Sequence, residues 1–514
     1  MKRWLYLAHR WLGIALAVPM AAWFLSGIVM LYVGYPKLTD AERRAALPAL
    51  ADADCCVPLA AALAAAGTSE AGSGAWRLTS VAGAPRYVFA LGARRVAAVD
   101  ARSGALLGAV GADDAVAAAR HFAGGAAGRH LALVDEDAWT HSRALDAHRP
   151  LHLVAVDDEA RRWLYVSSRT GEVVRDATLG ERRWGWFGAW LHWLYMFRGG
   201  ALDAWWHDLV VWTAIAGAAT VLGGLVVGVW RWRWRGRYKS GRRTPYAGFV
   251  ARWHHRLGLA GGVLAFTWVL SGLLSVNPWR VFDTRAPKPD RAAYAGGPMT
   301  ADAAPEARAV LRRLRAQGVA AQELEWRRVG GLSHVAALGR GGRWFVMPDG
   351  QVATALPPAA WRAAAPRLLP QARIVAADQL TAYDRYYYAR EPHTMGGQRD
   401  RPLPVWRLAF DDAAGTWVTI EAASGEIVAV SDRRRRVERW LFAFLHSFDL
   451  PQLLAARPAW DAWMIGFSLA GLGLGLTAFV SGWRRLRRAR PFARPFARGT
   501  RRDNFPTLHQ EPMS

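Results

Sequence analysis

Four apolar runs of membrane length constrain this chain more than any other feature of its sequence. They cover about residues 12–33, 209–230, 257–276 and 463–483. A helix needs about 20 apolar residues to cross the hydrocarbon core of a bilayer, so each run is long enough to span it. Long polar stretches, about 37–183 and 281–437, separate the first run from the second and the third from the fourth. The mean hydropathy of +0.01 therefore averages two different populations.

The basic residues lie beside the ends of these runs and predict their orientation. The net charge is +25, and arginines crowd the stretch between the second and third runs and the stretch after the fourth. Lys and Arg next to a span mark the cytoplasmic side, and basic clusters there also contact anionic lipid. We therefore expect both termini and the middle loop in the cytoplasm, a lipid bilayer as partner, and no nucleic acid.

The sequence repeats its own landmarks, which predicts a duplicated two-helix unit. Shifted by 245 residues, His9 falls on His254, Trp23 on Trp268, and Ser26-Gly27 on Ser271-Gly272. The twin of the first run is internal and cannot be a cleaved signal peptide. The first run is therefore expected to be a retained span rather than a leader.

The two polar stretches repeat as well, at an offset of 254 residues, and each is predicted to be an α+β domain. Gly171-Glu172 matches Gly425-Glu426, and both follow alternating apolar strands. Helices are expected at 58–66, 112–122 and 302–317. Short amphipathic helices are expected on the outer surface at 184–197 and 439–450.

These patterns divide the chain into eight segments. The predicted segments are 1–36 with the first span, 37–183 as the first external domain, 184–236 as an interfacial helix and the second span, 237–253 as a basic cytoplasmic loop, 254–280 with the third span, 281–437 as the second external domain, 438–488 as an interfacial helix and the fourth span, and 489–514 as a basic tail.

The repeat sorts the 14 histidines and selects four of them. His9 matches His254 at the inner ends of spans, and His192 matches His446 at the outer ends. A pseudo-twofold axis along the membrane normal would bring each pair face to face. His255, the neighbour of His254, and His207, at the start of the second run, are alternative ligands. The plain alternative for a histidine at a membrane surface is a hydrogen-bonded anchor.

Paired imidazoles on facing helices suit the two axial positions of a b-type haem, so the two pairs predict two haem sites with iron bound by His9, His254, His192 and His446. The chain has no Cys-x-x-Cys-His, which excludes covalent c-type attachment. Gly-rich dinucleotide and phosphate motifs are also missing, so no flavin or nicotinamide domain is expected.

Two external features remain open. The cluster at 383–388, with His393 and Met395 behind it, is either a set of core strand aromatics or an aromatic ligand surface. Cys55 and Cys56 are ordinary small residues or form a vicinal or intermolecular disulfide.

The motifs resemble a known family. His9-Arg10-Trp11-Leu12-Gly13, and Trp253-His254-His255 with the Trp268 to Gly272 stretch, look like the PepSY-associated transmembrane family, and the external endings resemble PepSY domains. The resemblance implies a bacterial inner-membrane protein similar to haem-containing siderophore reductases. It implies electrons taken from an unknown cytoplasmic or quinol donor and passed to a periplasmic ferric siderophore or other ferric chelate.

Two other functions fit the same sequence. PepSY domains also resemble modules that bind or inhibit peptidases, so a membrane-anchored binding or regulatory protein without haem is one alternative. A transporter subunit is the other. Neither needs paired axial histidines, so a bound haem discriminates the first hypothesis from both.

Overall fold

The structure is a computed structural model. It describes residues 1–51, 55–68, 70–71, 76–92, 94–394, 396–397 and 399–489. Met395 and all but the first residue of the predicted tail at 489–514 lie outside these residues.

Four helices in the described part of the chain are long and apolar enough to cross a membrane, as the sequence predicts. We name them spans 1 to 4: Lys2–Met30, Trp206–Arg231, Phe249–Ser275 and Ala459–Ala489. Each span packs against two others, in the order 1, 2, 3, 4 and back to 1, so spans 1 and 3 lie on one diagonal of the bundle. Glycines allow close approach, since a Cβ at Gly471 would lie only 2.5 Å from the Phe24 ring.

The polar segments contain the remaining sheets and most of the shorter helices. The first polar segment (37–183) has helices Asp40–Ala45, Leu59–Ala65 and Ala112–Phe122, and strands Glu70–Ala71, Trp76–Val81, Ala84–Ala90, Val96–Asp100, Gly128–Val134, Leu151–Val156, Trp163–Ser167 and Val173–Ala177. The second polar segment (281–437) has helices Arg291–Ala295, Ala307–Ala316 and Pro358–Ala364, and strands Met299–Thr300, Glu323–Val329, Leu332–Gly339, Gly342–Val346, Val352–Ala353, Ile374–Leu380, Val405–Phe410, Trp417–Glu421 and Ile427–Ser431.

A seven-stranded antiparallel sheet joins the two polar segments. Strand Trp76–Val81 pairs with strand Glu323–Val329, and the register is symmetric about the pair Arg77 and Glu325. One face of this shared sheet carries helices Leu59–Ala65 and Ala307–Ala316 over a common apolar core. The sequence predicts the two polar segments but not the sheet that they share, because hydrogen bonds between residues about 250 positions apart have no local sequence signal.

Each polar segment also has a four-stranded antiparallel sheet whose strands follow one another in sequence order. Helix Ala112–Phe122 covers the first of these sheets, and helix Pro358–Ala364 covers the second through the buried Trp361. The helix predicted at 112–122 is confirmed to the residue, while the one predicted at 302–317 is shorter. Its Pro305 precedes the first helical residue, Ala307.

The chain between each four-stranded sheet and the next span is less regular than predicted. Instead of continuous helices at 184–197 and 439–450, an α-helical turn passes into wide π-type turns at Trp186–Trp190 and at Arg439–Phe444. Leu194 and Phe448 then adopt left-handed conformations that end each segment. The backbone kink at Gly188, which packs on Val29 of span 1, accounts for the break in the first segment.

A buried ionic network ties the shared sheet to the first four-stranded sheet. Glu323, whose side chain is fully buried, accepts from Arg43 at 2.7 Å and from Arg77 at 3.0 Å. Arg77 also reaches Glu172, which follows the third strand of that sheet, at 2.9 Å. Each buried charge therefore has a partner of opposite sign, which buried ions require.

Removing Glu323 should destabilise this joint strongly. Glu323→Ala leaves the buried Arg77 with Glu172 and the buried Arg43 with only the exposed Asp40 at 3.6 Å. Breaking a buried pair in this way costs about 3–5 kcal/mol. We expect a clear fall in the apparent melting temperature of the purified protein in detergent. Asp40→Ala is the matched control, because Asp40 pairs with the same Arg43 from an exposed position. An equal fall in both variants would contradict the assigned role of Glu323.

Candidate functional site

The inner histidine pair lies between spans on one diagonal of the bundle. The rings of His9 on span 1 and His254 on span 3 have centroids 6.3 Å apart. His9 Nδ1 is 3.0 Å from the carbonyl oxygen of Thr220 on span 2, and His254 Nδ1 is 3.1 Å from Thr477 Oγ1 on span 4. All four spans therefore contribute to this pair. The repeat in the sequence predicts the two histidines but not their partners on spans 2 and 4.

Glycine provides the room that the inner pair needs. A Cβ added at Gly224 of span 2 would lie 2.5 Å from the His9 ring. The close approach of span 2 to this ring thus depends on a residue without a side chain.

The outer histidine pair has the same construction. The centroids of the His192 and His446 rings are 6.0 Å apart. His192 Nδ1 lies 2.9 Å from Ser26 Oγ on span 1, and His446 Nδ1 lies 3.0 Å from Ser271 Oγ on span 3. The serines are the ones that match at offset 245 in the sequence.

The two pairs share one hydrogen-bonding pattern. In all four histidines Nδ1 has an oxygen partner, while Nε2 has no hydrogen-bond partner among the described residues. Histidines that bind a metal typically donate their other ring N–H to an oxygen, which fixes the tautomer and the ring orientation. A hydrogen-bonded anchor alone does not require two such rings to face each other.

An apolar layer separates the two pairs. Its centre is the tilted contact of Phe24 on span 1 with Trp268 on span 3, at 5.9 Å between centroids. Met20, Val269 and Met464 pack around it. The indole of Trp23 donates to the backbone oxygen of His192, whereas the buried indole N–H of Trp268 has no partner among the described residues.

The structure does not bring the alternative histidines to either pair. His255 is buried on another face of span 3, with Nδ1 2.8 Å from Thr244 Oγ1 and Nε2 2.9 Å from the Gly228 oxygen. Both of its nitrogens are therefore engaged with the loop and with span 2. His207 is half exposed at the outer end of span 2, 3.2 Å from the oxygen of Val276.

A buried ionic cluster, which the sequence does not predict, lies beside the outer pair. Asp449 is fully buried, lies 2.9 Å from Arg439, and accepts a hydrogen bond from Tyr388. Arg390 also approaches it, at 3.7 Å, and reaches Ser447, the neighbour of His446. Of its members, only Tyr388 and Arg390 lie in or near the predicted aromatic cluster.

That aromatic cluster lies in a loop rather than in a strand, since strand Ile374–Leu380 ends before it. Tyr387 is buried in the loop, whereas Tyr383 is exposed. The interpretation as core strand aromatics is therefore wrong. Arg401 is also held in this loop, over the ring of Tyr387.

The same loop contacts the first polar segment through the side chain of His393. His393 Nε2 is 2.6 Å from Glu42 and its Nδ1 is 3.6 Å from Glu181. The carboxylates of Glu181 and Glu42 raise the pKa of His393 to about 9, despite partial burial. Lys37 donates to the neighbouring Thr394 oxygen, and burial lowers the pKa of Lys37 to about 8. Sequence reasoning treats His393 as an unpaired external histidine, because its partners are far away in the chain.

No group of three or more His, Cys, Asp or Glu side chains suited to a metal ion is present among the described residues. Cys55 and Cys56 form a vicinal disulfide. The two histidine pairs are therefore the arrangement in the described chain that could hold a cofactor, with two ligands at each site.

Comparison with known proteins adds no family assignment. No protein-family model matches the chain. No curated protein sequence matches it either.

The His393 bridge should make stability depend on pH. Since the folded-state pKa of about 9 lies above the ordinary 6.5, the bridge stabilises fully below about pH 6.5 and is lost as pH rises through 9. Lys37 acts in the opposite direction above pH 8, so the comparison must be between variants. We expect the melting temperature of the protein to fall more between pH 6.5 and 9.5 than that of His393→Gln, measured in detergent. Parallel pH profiles would refute the role of this bridge.

Proposed function

We propose that this chain is a membrane b-type dihaem electron-transfer protein, with one haem iron between His9 and His254 and a second between His192 and His446. The spacing of the rings carries the proposal. Metal–imidazole nitrogen distances are about 2 Å, so two imidazoles that would share one metal ion can have ring centres up to about 6 Å apart. The separations of 6.3 and 6.0 Å fit this requirement in both pairs.

The oxygen partners of Nδ1 support the same assignment. They hold each ring in the tautomer that leaves Nε2 free, so that this nitrogen of each histidine would be available to hold a haem iron. Bound haem would supply one-electron transfer without any further catalytic group. The chain's own residues orient the ligands and, through the apolar layer at Phe24 and Trp268, keep water from the space between the two sites.

The two sites are separated along the bundle axis, as transfer across a membrane requires. His9 and Ser26, the partner of His192, are 17 residues apart on one helix, which corresponds to about 25 Å. Arginines at the inner ends of the spans support a cytoplasmic location for the His9–His254 site under the positive-inside rule. The proposal thus includes a bacterial inner membrane, cytoplasmic termini and periplasmic polar segments.

Duplication is the simplest origin for the paired sites. Strands Leu151–Val156 and Val405–Phe410 differ by 254 residues at both ends, and so do strands Trp163–Ser167 and Trp417–Glu421. The left-handed residues Leu194 and Phe448 differ by the same number. We propose that the chain is two copies of one unit, each with a span, a PepSY-like α+β segment and a second span.

A ferric chelate is the proposed electron acceptor. One electron converts Fe³⁺ to Fe²⁺, which hard oxygen chelators hold less strongly, so reduction alone releases the metal. Arg385 and Arg399 are exposed on the loop near the outer pair and add positive charge that attracts an anionic chelate. Arg390 and Arg401, on the same loop, are engaged in contacts within the protein.

The haem count tests the proposal. Purified protein from haem-replete cells should give a Soret band, sharp α-bands after dithionite, and two haems per chain by the pyridine haemochrome assay. His9→Ala, His254→Ala, His192→Ala and His446→Ala should each lose one haem. His255→Ala and His207→Ala are matched controls that should keep both. A colourless preparation would contradict the proposal. Unchanged spectra in His9→Ala and His254→Ala would contradict the assignment of the inner site.

The serines beside the outer pair should tune that haem rather than hold it. A hydrogen bond from Nδ1–H to an acceptor raises the basicity of the ligand, which favours Fe³⁺. Ser26→Ala and Ser271→Ala should therefore raise the midpoint potential of one haem and weaken its binding about 10–100-fold. Redox titration followed at the α-band measures the shift. Ser275→Ala is the control, because its hydroxyl bonds only the backbone of Gly272 on the same span. A shift of the same size in Ser275→Ala would contradict this role.

A further inference from the structure

A pocket of about 310 Å³ lies beside the first four-stranded sheet, and the proposed function does not use it. Its walls are Trp139, Trp163 and Trp186, with Arg182 and Arg183 at one side and Asp137 at another. We call it the tryptophan pocket. Three indoles and two guanidinium groups around one space suit a flat ring that carries polar or negative substituents.

Two polar groups of the tryptophan pocket are free to meet a ligand. Arg182 is engaged, since it covers the Trp163 ring at 4.2 Å and donates to the Ala177 oxygen. By contrast, the Trp186 indole N–H and the Arg183 guanidinium have no hydrogen-bond or ion-pair partner among the described residues.

The second half of the chain has a counterpart of this pocket. At an offset of 254 residues, Trp163, Arg182 and Trp186 correspond to Trp417, Arg436 and Trp440. Arg436 lies over the Trp417 ring at 4.0 Å, just as Arg182 lies over Trp163. The Arg–Trp part of the wall is therefore built alike in both halves, whereas His393 stands at the position that matches Trp139.

The counterpart is filled by a phenol from the chain itself. The ring of Tyr386 contacts Trp417 at 5.4 Å and Trp440 at 6.2 Å between centroids, edge-on to both. The Trp440 indole donates to the Tyr386 hydroxyl oxygen at 3.1 Å. The loop from 381 to 404 that carries Tyr386 is longer than its equivalent from 135 to 150.

Among the described residues, the first half has no aromatic ring in the position that Tyr386 occupies in the second. No aromatic ring bridges Trp163 and Trp186 in the described chain, and Trp139 contacts only the Trp186 side, at 5.2 Å. The position of Val437 in the second half is taken by Arg183 in the first, which adds a cation to the open pocket. The open pocket thus has the walls, the free indole donor and an extra positive charge.

We infer that the tryptophan pocket binds a small molecule through a hydroxylated aromatic ring, the chemistry of a phenol, a catechol or a quinol head group. The ring takes the place that Tyr386 occupies in the second half. Its oxygen accepts the Trp186 N–H, and Arg183 favours an ionised oxygen. This site stands whether or not the histidine pairs hold haem.

The test uses the full-length protein in detergent and 4-fluorophenol as the probe, with binding followed by ¹⁹F NMR. We expect one saturable site. Trp163→Ala should weaken it about tenfold, because it removes one aromatic wall. 4-Fluorotoluene, which lacks the hydroxyl, should bind more weakly than 4-fluorophenol.

A gain of binding is the decisive arm, because loss of folding cannot produce it. Tyr386→Ala should open the second pocket and raise the stoichiometry from one site to two. Tyr383→Ala is the matched control from the same loop, since Tyr383 is exposed and contacts neither Trp417 nor Trp440. It should leave the stoichiometry at one.

Competition identifies the source of the ring. Displacement of 4-fluorophenol by a short-chain quinol supports a quinol head group, and displacement by catechol but not by the quinol supports a catecholate. The inference is overturned by the absence of saturable binding, by unchanged stoichiometry in Tyr386→Ala, or by equal affinity for 4-fluorotoluene.

Discussion

The pairing of strand Trp76–Val81 with strand Glu323–Val329 is the constraint on which the rest of the molecule depends. It joins the two polar segments in one sheet through the pairs Leu78–Leu324, Arg77–Glu325 and Trp76–Trp326. Each segment continues into a span at both ends, so the sheet is connected to all four spans. His9 then faces His254, and His192 faces His446, at nearly equal distances.

Different forces stabilise the two parts of the molecule. The shared sheet buries an apolar core on one face, where Trp76 and Trp326 are almost fully inaccessible. Its other face carries the ionic network of Arg43, Glu323 and Arg77. In the bundle, the hydrophobic effect does not drive helices together within lipid, so close packing at glycines and specific hydrogen bonds carry more of the association. The Nδ1 contacts of the histidines belong to this second kind, since each joins a histidine to a span on which that histidine does not lie.

The two halves of the chain differ in an aromatic pocket and in a buried ionic cluster. Tyr386 fills one aromatic pocket, while its counterpart at Trp163 and Trp186 is open. Asp449 and Arg439 form a buried charged cluster beside His446, whereas the equivalent positions in the first half are Tyr195 and Gly185. The loop of the second half also reaches across to Glu42 through His393. The open pocket therefore belongs to the first half of the chain and the buried ionic cluster to the second.

The sequence by itself determined the four apolar helices, the strands Trp163–Ser167 and Trp417–Glu421, and the correspondence of His9 with His254. These follow from local hydrophobic periodicity and from a constant offset, which are properties of the chain read in order. The tertiary structure alone decided that the polar segments share a sheet, that His255 bonds Thr244 and Gly228, and that Tyr386 occupies a pocket. Such contacts join residues far apart in the chain. They therefore produce no hydrophobic periodicity in the sequence around either residue.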